Sequence, residues 1–135
     1  MIPSLLIDST REHQQKCIFM DEWTLRENPD GSLLMSWENV LELSDRHVIC
    51  CHTGNHYRFN ETDRSNILDL EILKSKQLIE EKISKPVSHF CWVGGEEVHY
   101  TRSAYQKVRK SGYQYGFMTN NCIVMPKGSN PFAIN

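Results

Sequence analysis

Short apolar runs alternate with longer amphipathic stretches along this chain of 135 residues. Residues 16–20 (Lys-Cys-Ile-Phe-Met) and 47–51 (His-Val-Ile-Cys-Cys) read as short strands of the buried type, as do 87–92 and 113–118. Helix signals fill the intervals. Ser36 can cap a helix carrying Trp37, Val40, Leu41 and Leu43 as an apolar stripe. The longest helix is predicted over residues 63–82, with Ile67, Leu70, Leu73, Ile79 and Ile83 as its apolar face and Glu71 placed to pair with Lys74 or Ser75. Pro86 stops it. Residues 101–110 form a short basic helix closed by Gly112. Asn28-Pro29-Asp30-Gly31 is a turn cluster, and residues 120–135 read as a loop-rich tail of one domain spanning 1–135.

Strands that alternate with helices predict an α/β fold of parallel β-α units, with 16–20, 47–51, 87–92 and 113–118 as neighbouring parallel strands. In such folds the chemistry gathers on loops that follow the carboxyl ends of strands. Two segments stand in that position, His52-Thr53-Gly54-Asn55-His56 and Trp92-Val93-Gly94-Gly95, and both are expected on one rim.

Composition narrows the partners. A net charge of -2 with scattered basic residues gives no footprint for nucleic acid. No apolar run reaches the length of a membrane span, and the start has no basic flank or small-residue cleavage site, so a cytoplasmic location is expected. The five cysteines (17, 50, 51, 91 and 122) lack Cys-x-x-Cys spacing, which points to small buried hydrophobes rather than to disulfides or a thiolate zinc site. Adjacent Cys50 and Cys51 should face opposite sides of a strand.

His52 and His56 are the informative pair. Two neutral imidazoles separated by three residues can share one metal ion. A zinc-protease helix is excluded, because Thr53 stands where a Glu would be needed and Gly54-Asn55 break helix. A structural zinc module would want four closed ligands, and only two cluster here. The other histidines have plainer readings: His47 opens a strand, His89 alternates with apolar neighbours, and His13 and His99 lie at the surface. Trp37 packs a helix onto the sheet, and Glu96-Glu97 form a solvated loop.

The order of these motifs resembles the polysaccharide deacetylase family, the NodB homology domain of carbohydrate esterases. The resemblance runs through Met35-Ser36-Trp37-Glu38-Asn39-Val40, Leu43-Ser44-Asp45, the strand into His52-Thr53-Gly54-Asn55-His56, and Glu71-Ile72-Leu73-Lys74-Ser75-Lys76. It continues through Lys85-Pro86-Val87, Phe90-Cys91-Trp92-Val93-Gly94-Gly95, Val108-Arg109-Lys110-Ser111-Gly112-Tyr113 and Asn130-Pro131-Phe132-Ala133-Ile134, covering about residues 16 to 135. It implies an irregular (β/α) barrel and hydrolysis of N-acetyl groups from a saccharide. His52 and His56 would hold a divalent metal, zinc above all. An Asp of the family's Thr-Phe-Asp-Asp motif would supply the third ligand and its neighbour the general base.

This chain departs from that pattern twice. It contains no Asp-Asp pair, and residues 2–6 resemble the end of the helix after that motif, so the expectation is an incomplete barrel whose first strand and motif precede Met1. Asp8 lies too close to the strand at 16–20 to serve as a substitute. Trp92-Val93 replaces the Tyr-Pro of many members in a loop that shapes the substrate groove. Trp92, Gly94 and Gly95 are the expected substrate-side residues, with core packing the other reading of Trp92. The resemblance thus implies a truncated, weak or inactive deacetylase acting on an N-acetylated saccharide and prone to self-association through an exposed sheet edge. The alternative is a non-catalytic carbohydrate-binding or interaction protein derived from one.

Overall fold

Three parallel strands form the sheet of the computed structural model: β1 (Cys50–Cys51), β2 (His89–Cys91) and β3 (Tyr115–Phe117), in the order β1-β2-β3. Residues 1–18, 21–27, 29, 33–95, 99–119 and 128–134 are described. Cys51 pairs with Phe90, and Phe90 with Gly116, so the expected strands at 47–51, 87–92 and 113–118 are present in shortened form. Parallel neighbours need a crossover, and helices supply both. The sheet is small and open.

Single bridges extend it on both sides. Ile2 N–H donates to Cys50 O (2.8 Å) and His52 N–H donates to Ile2 O (2.9 Å), a parallel contact on the outer edge of β1. Ile134 bridges Phe117 in parallel on the far edge. Residue 2 therefore stands beside β1, where residues 16–20 were expected and where residues 2–6 were expected to end a helix. Lys16 and Cys17 instead close helix α1 (Arg11–Cys17), and Phe19 and Met20 lie outside the described residues. Local signals outweigh the brief apolar run. Thr10 caps the helix by accepting from His13 N–H, and Lys16 pairs with Glu12 one turn back. Gln14 is fully buried, with its Nε2 donating to Leu6 O and its Oε1 accepting from Leu33 N–H. A second short helix, α2 (Glu22–Glu27), buries none of its residues.

Helix α3 (Trp37–Ser44) begins as expected, with Ser36 and Asn39 forming a capping box. Its stripe is narrower than expected. Val40 is buried and Trp37 packs against the core, whereas Leu41 and Leu43 are exposed. At helical spacing Trp37, Val40 and Ser44 share a side that Leu43 does not.

The long crossover helix is composite. It comprises α4 (Ser65–Leu68), a π-helical segment (Asp69–Lys74) and α5 (Ser75–Ile83). Its buried positions are Leu68, Glu71, Ile72, Ser75, Ile79 and Ile83. The face predicted through Ile67, Leu70 and Leu73 is therefore displaced by about one residue. Glu71 points inward rather than toward Lys74. A purely apolar criterion misses this face because two of its six positions are polar. Ser84 takes the left-handed conformation (φ 53°) just before Pro86, ending the helix where expected.

Phe90 lies at the centre of the core with its ring 5.0 Å from Trp92 and 5.2 Å from Tyr113. Ile72, Ile79 and Val108 of the crossover helices are fully buried around it. Alternation along the strands puts Cys51 and Phe90 on this helix-covered face. Cys50, His89 and Cys91 lie on the other, so the two adjacent cysteines do diverge. Helix α6 (Arg102–Lys110) is capped by Thr101 and followed by Gly112 at φ 81°. Gly116 is required by close approach: a Cβ there would sit 2.6 Å from Phe132 O. Among the described residues, no helix is long and apolar enough to cross a membrane.

Candidate metal centre

The loop that leaves the carboxyl end of β1 carries both histidines. Their rings lie 5.0 Å apart between centroids, edge to face. His52 Nδ1 donates to Cys91 O (2.9 Å), since a carbonyl can only accept, so its Nε2 keeps a free lone pair. The main-chain carbonyl of Cys17 also favours a proton on the His56 ring, against the stronger effect of burial. The His52 tautomer is thus set by a main-chain acceptor, with Nε2 left to bind. That is the arrangement metal-ligating histidines adopt.

The local electrostatics keep both rings neutral. Burial depresses the basicity of His52 most, and the neighbouring His56 adds to this against the opposing Cys91 carbonyl, leaving its pKa at about 4. Burial likewise lowers the pKa of His56, and the Arg58 guanidinium pushes in the same direction. Neutral imidazole is the form that donates to a metal. Across the sheet, Cys50 shares a side-chain hydrogen bond with Cys91, which brings the Cys50 thiol down to about 7 and pushes that of Cys91 up.

The loop holding these rings is unusual in its backbone. Thr53 (φ 62°) and His56 (φ 58°) are both left-handed, a conformation that costs a non-glycine residue about 1 kcal/mol or more. The surroundings compensate. Thr53 is fully buried and its Oγ1 accepts from Tyr57 N–H (2.8 Å). Glu71 is 3% exposed and accepts from Gly54 N–H (2.9 Å), Asn55 N–H (2.8 Å) and Asn55 Nδ2 (2.7 Å). Gly54 leaves no room for a side chain, because a Cβ would lie 2.6 Å from Leu5 Cδ1 and 3.2 Å from Glu71 Oε2. His13 Nε2, read from the sequence as a plain surface group, lies 3.0 Å from Asn55 Oδ1 and steadies the outer end of the loop.

A cleft of about 310 Å³ opens in front of the pair, bounded by His52, His56, Arg58, Trp92, Gly94 and Thr119. The two segments expected on one rim are therefore brought together. A second hollow lies behind His56, toward Lys16 and Asn55, with His56 and Arg58 forming the wall between them. Trp92 is 2% exposed, its indole N–H donates to Phe132 O (3.0 Å), and its ring packs on Phe90 and Tyr100. Core packing claims most of this side chain. Gly94 (φ 80°) and Gly95 (φ 65°) form the left-handed turn beside it. Gly95 O accepts from Thr119 N–H (3.0 Å).

Asp8 lies on the exposed turn after Leu6-Ile7, in a left-handed conformation (φ 58°). Among the described residues, no third His, Cys, Asp or Glu joins the histidine pair. Two neutral donors with free lone pairs fit part of a divalent-metal shell and leave the rest to other ligands. Sequence reasoning found the pair by its spacing after a strand. It missed Glu71 and Arg58, for which the only sequence signal was a carboxylate inside an apolar helical pattern.

A family model described as polysaccharide deacetylase matches residues 8–116. No curated protein and no solved structure matches the chain.

Proposed function

The chain belongs to the polysaccharide deacetylase family, and from that premise we propose that it takes part in metal-dependent removal of N-acetyl groups from a saccharide, with His52 and His56 as metal ligands. One observation supports this above the others: the two imidazoles lie 5.0 Å apart on one cleft, and His52 Nδ1 donates to Cys91 O, which leaves its Nε2 free. A divalent ion there, zinc by ligand type, would supply Lewis acidity toward an amide carbonyl and a water.

The residues of the chain do the rest. The Cys91 carbonyl holds the His52 tautomer, and burial disfavours the protonated form of both rings. Gly94 and the positively charged Arg58 line the same cleft as the pair. The open parallel sheet is compatible with part of the family's irregular (β/α) barrel. The sequence contains no Asp-Asp pair to provide a third ligand and a general base. A positioned base contributes about 10²–10⁴-fold, so acetate release by this chain alone is expected to be far below a complete site.

The test is acetate release from an acetylated chitooligosaccharide with added zinc or cobalt, run beside His52→Ala and His56→Ala. Weak metal-dependent release lost in both variants supports the proposal. Release indifferent to metal and to both substitutions contradicts it. Saccharide binding with no release under any condition favours the alternative, a carbohydrate-binding member of the family.

A further inference from the structure

The buried Glu71 carboxylate is an expensive feature in a core this small, and the proposed chemistry of the histidine pair assigns it no part. Burying a charge is unfavourable unless it is fully hydrogen-bonded. Glu71 meets that condition through one loop alone: Gly54 N–H, Asn55 N–H and the Asn55 side-chain amide all donate to it. These two residues lie between His52 and His56. The segment delivering the carboxylate is the π-helical stretch Asp69–Lys74, flanked by ordinary α-helix on both sides. A π turn is rare and is common at functional sites. Here the wider turn brings Glu71 and Ile72 to the inner face together, one toward the loop and the other into the core. The Tyr113 hydroxyl donates to Ile72 O (3.1 Å) within this segment, and Lys107 pairs with Asp69 at its start.

We propose that Glu71 is a positioning residue for the histidine pair: delivered by the π turn, its carboxylate clamps Gly54 and Asn55 and so holds the left-handed His56 and the His52 ring turned to one another. The inference rests on the metal reading of that pair. A charge-assisted clamp of this kind opposes the strain of two left-handed residues in a five-residue loop. Without it, the loop relaxes and the two nitrogens no longer converge, although the sheet beneath keeps its own hydrogen bonds.

The experiment measures zinc affinity by calorimetry for wild type, Glu71→Gln and Glu71→Ala, well below their melting temperatures. The main-chain amides of Gly54, Asn55 and Phe90 are followed by NMR in the same samples. Gln keeps one acceptor oxygen and Ala keeps none, so affinity should fall in the order wild type, Gln, Ala, with a loss of about tenfold or more in Ala. The Gly54 and Asn55 signals should move while that of Phe90 stays. If Ala does not fold, Gln carries the test with its intermediate loss and the same amide shifts. A merely structural Glu71 would lower the melting temperature and leave the zinc affinity of the folded variants unchanged, which overturns the inference. A wild-type chain that binds no zinc overturns the metal reading and this inference together. Wild-type binding with no loss in either folded variant overturns this inference alone.

Discussion

Acidification should weaken the metal-free fold through His52. The folded chain holds this imidazole at a pKa of about 4, against an ordinary value of 6.5 that the unfolded chain regains. Between those values the unfolded state binds a proton that the folded state refuses. Stability therefore rises with pH across that window and is lost as pH falls through it. The slope for one such group is about 1.36 kcal/mol per pH unit. From about pH 6.5 down to about pH 5, His52 then costs about 2 kcal/mol at most, and nearer 1 once solvent at the cleft mouth is allowed for. His56, also held down by burial, adds in the same direction. The assay is urea unfolding in the presence of a chelator at several pH values, with His52→Gln as the comparison. Gln can still donate to Cys91 O but does not titrate. Wild type should lose stability across the window, and the variant should lose less by about 1 kcal/mol or more. Parallel curves for the two proteins, or a wild type that gains stability as pH falls, would refute the reasoning.

Gln14→Ala should destabilise the chain by about 2 kcal/mol or more, because it leaves a cavity where a fully buried side chain stood and takes the acceptor from Leu33 N–H; thermal unfolding reads this directly. Gly54→Ala should cost about 1–3 kcal/mol, since the new methyl must displace Leu5 and press on Glu71 Oε2. Its zinc affinity should fall with its stability, and calorimetry showing wild-type values for both would contradict the packing described here.

Much of the fold was legible because strands and helices carry different periods. The runs at 47–51, 87–92 and 113–118 have apolar centres bounded by turn formers, and all three became parallel strands. Ser36, Thr101, Pro86 and Gly112 mark helix ends through chemistry that is local, so they could be read without tertiary context. The misplacements have a different origin. Residues 16–20 looked like a strand from composition, but Thr10 and the buried Gln14 commit Lys16 and Cys17 to a helix, and a fully buried glutamine has no signature in a linear pattern. Ile2 is a single bridging residue, too short for any periodic signal. The crossover helix was found, but its face was misassigned. The π turn and the inward Glu71 and Ser75 break the rule that the buried side is the apolar one.

The site divides in the same way. His52 and His56 were visible because a spacing and a position after a strand can be read directly, and the loop at residues 92–95 shares their cleft. Glu71 reaches the loop between the two histidines only through folding. Trp92 carries both of its sequence readings: it borders the cleft, and its indole lies in the core with its N–H on Phe132 O.

The most direct test of the account is to locate zinc on the folded chain by anomalous scattering from a crystal grown with the metal. The account predicts one principal peak within about 2.1 Å of an imidazole nitrogen of both His52 and His56, absent from His52→Ala crystals. A peak elsewhere, with His52 still bonded to the Cys91 carbonyl and both rings free of metal, would contradict it.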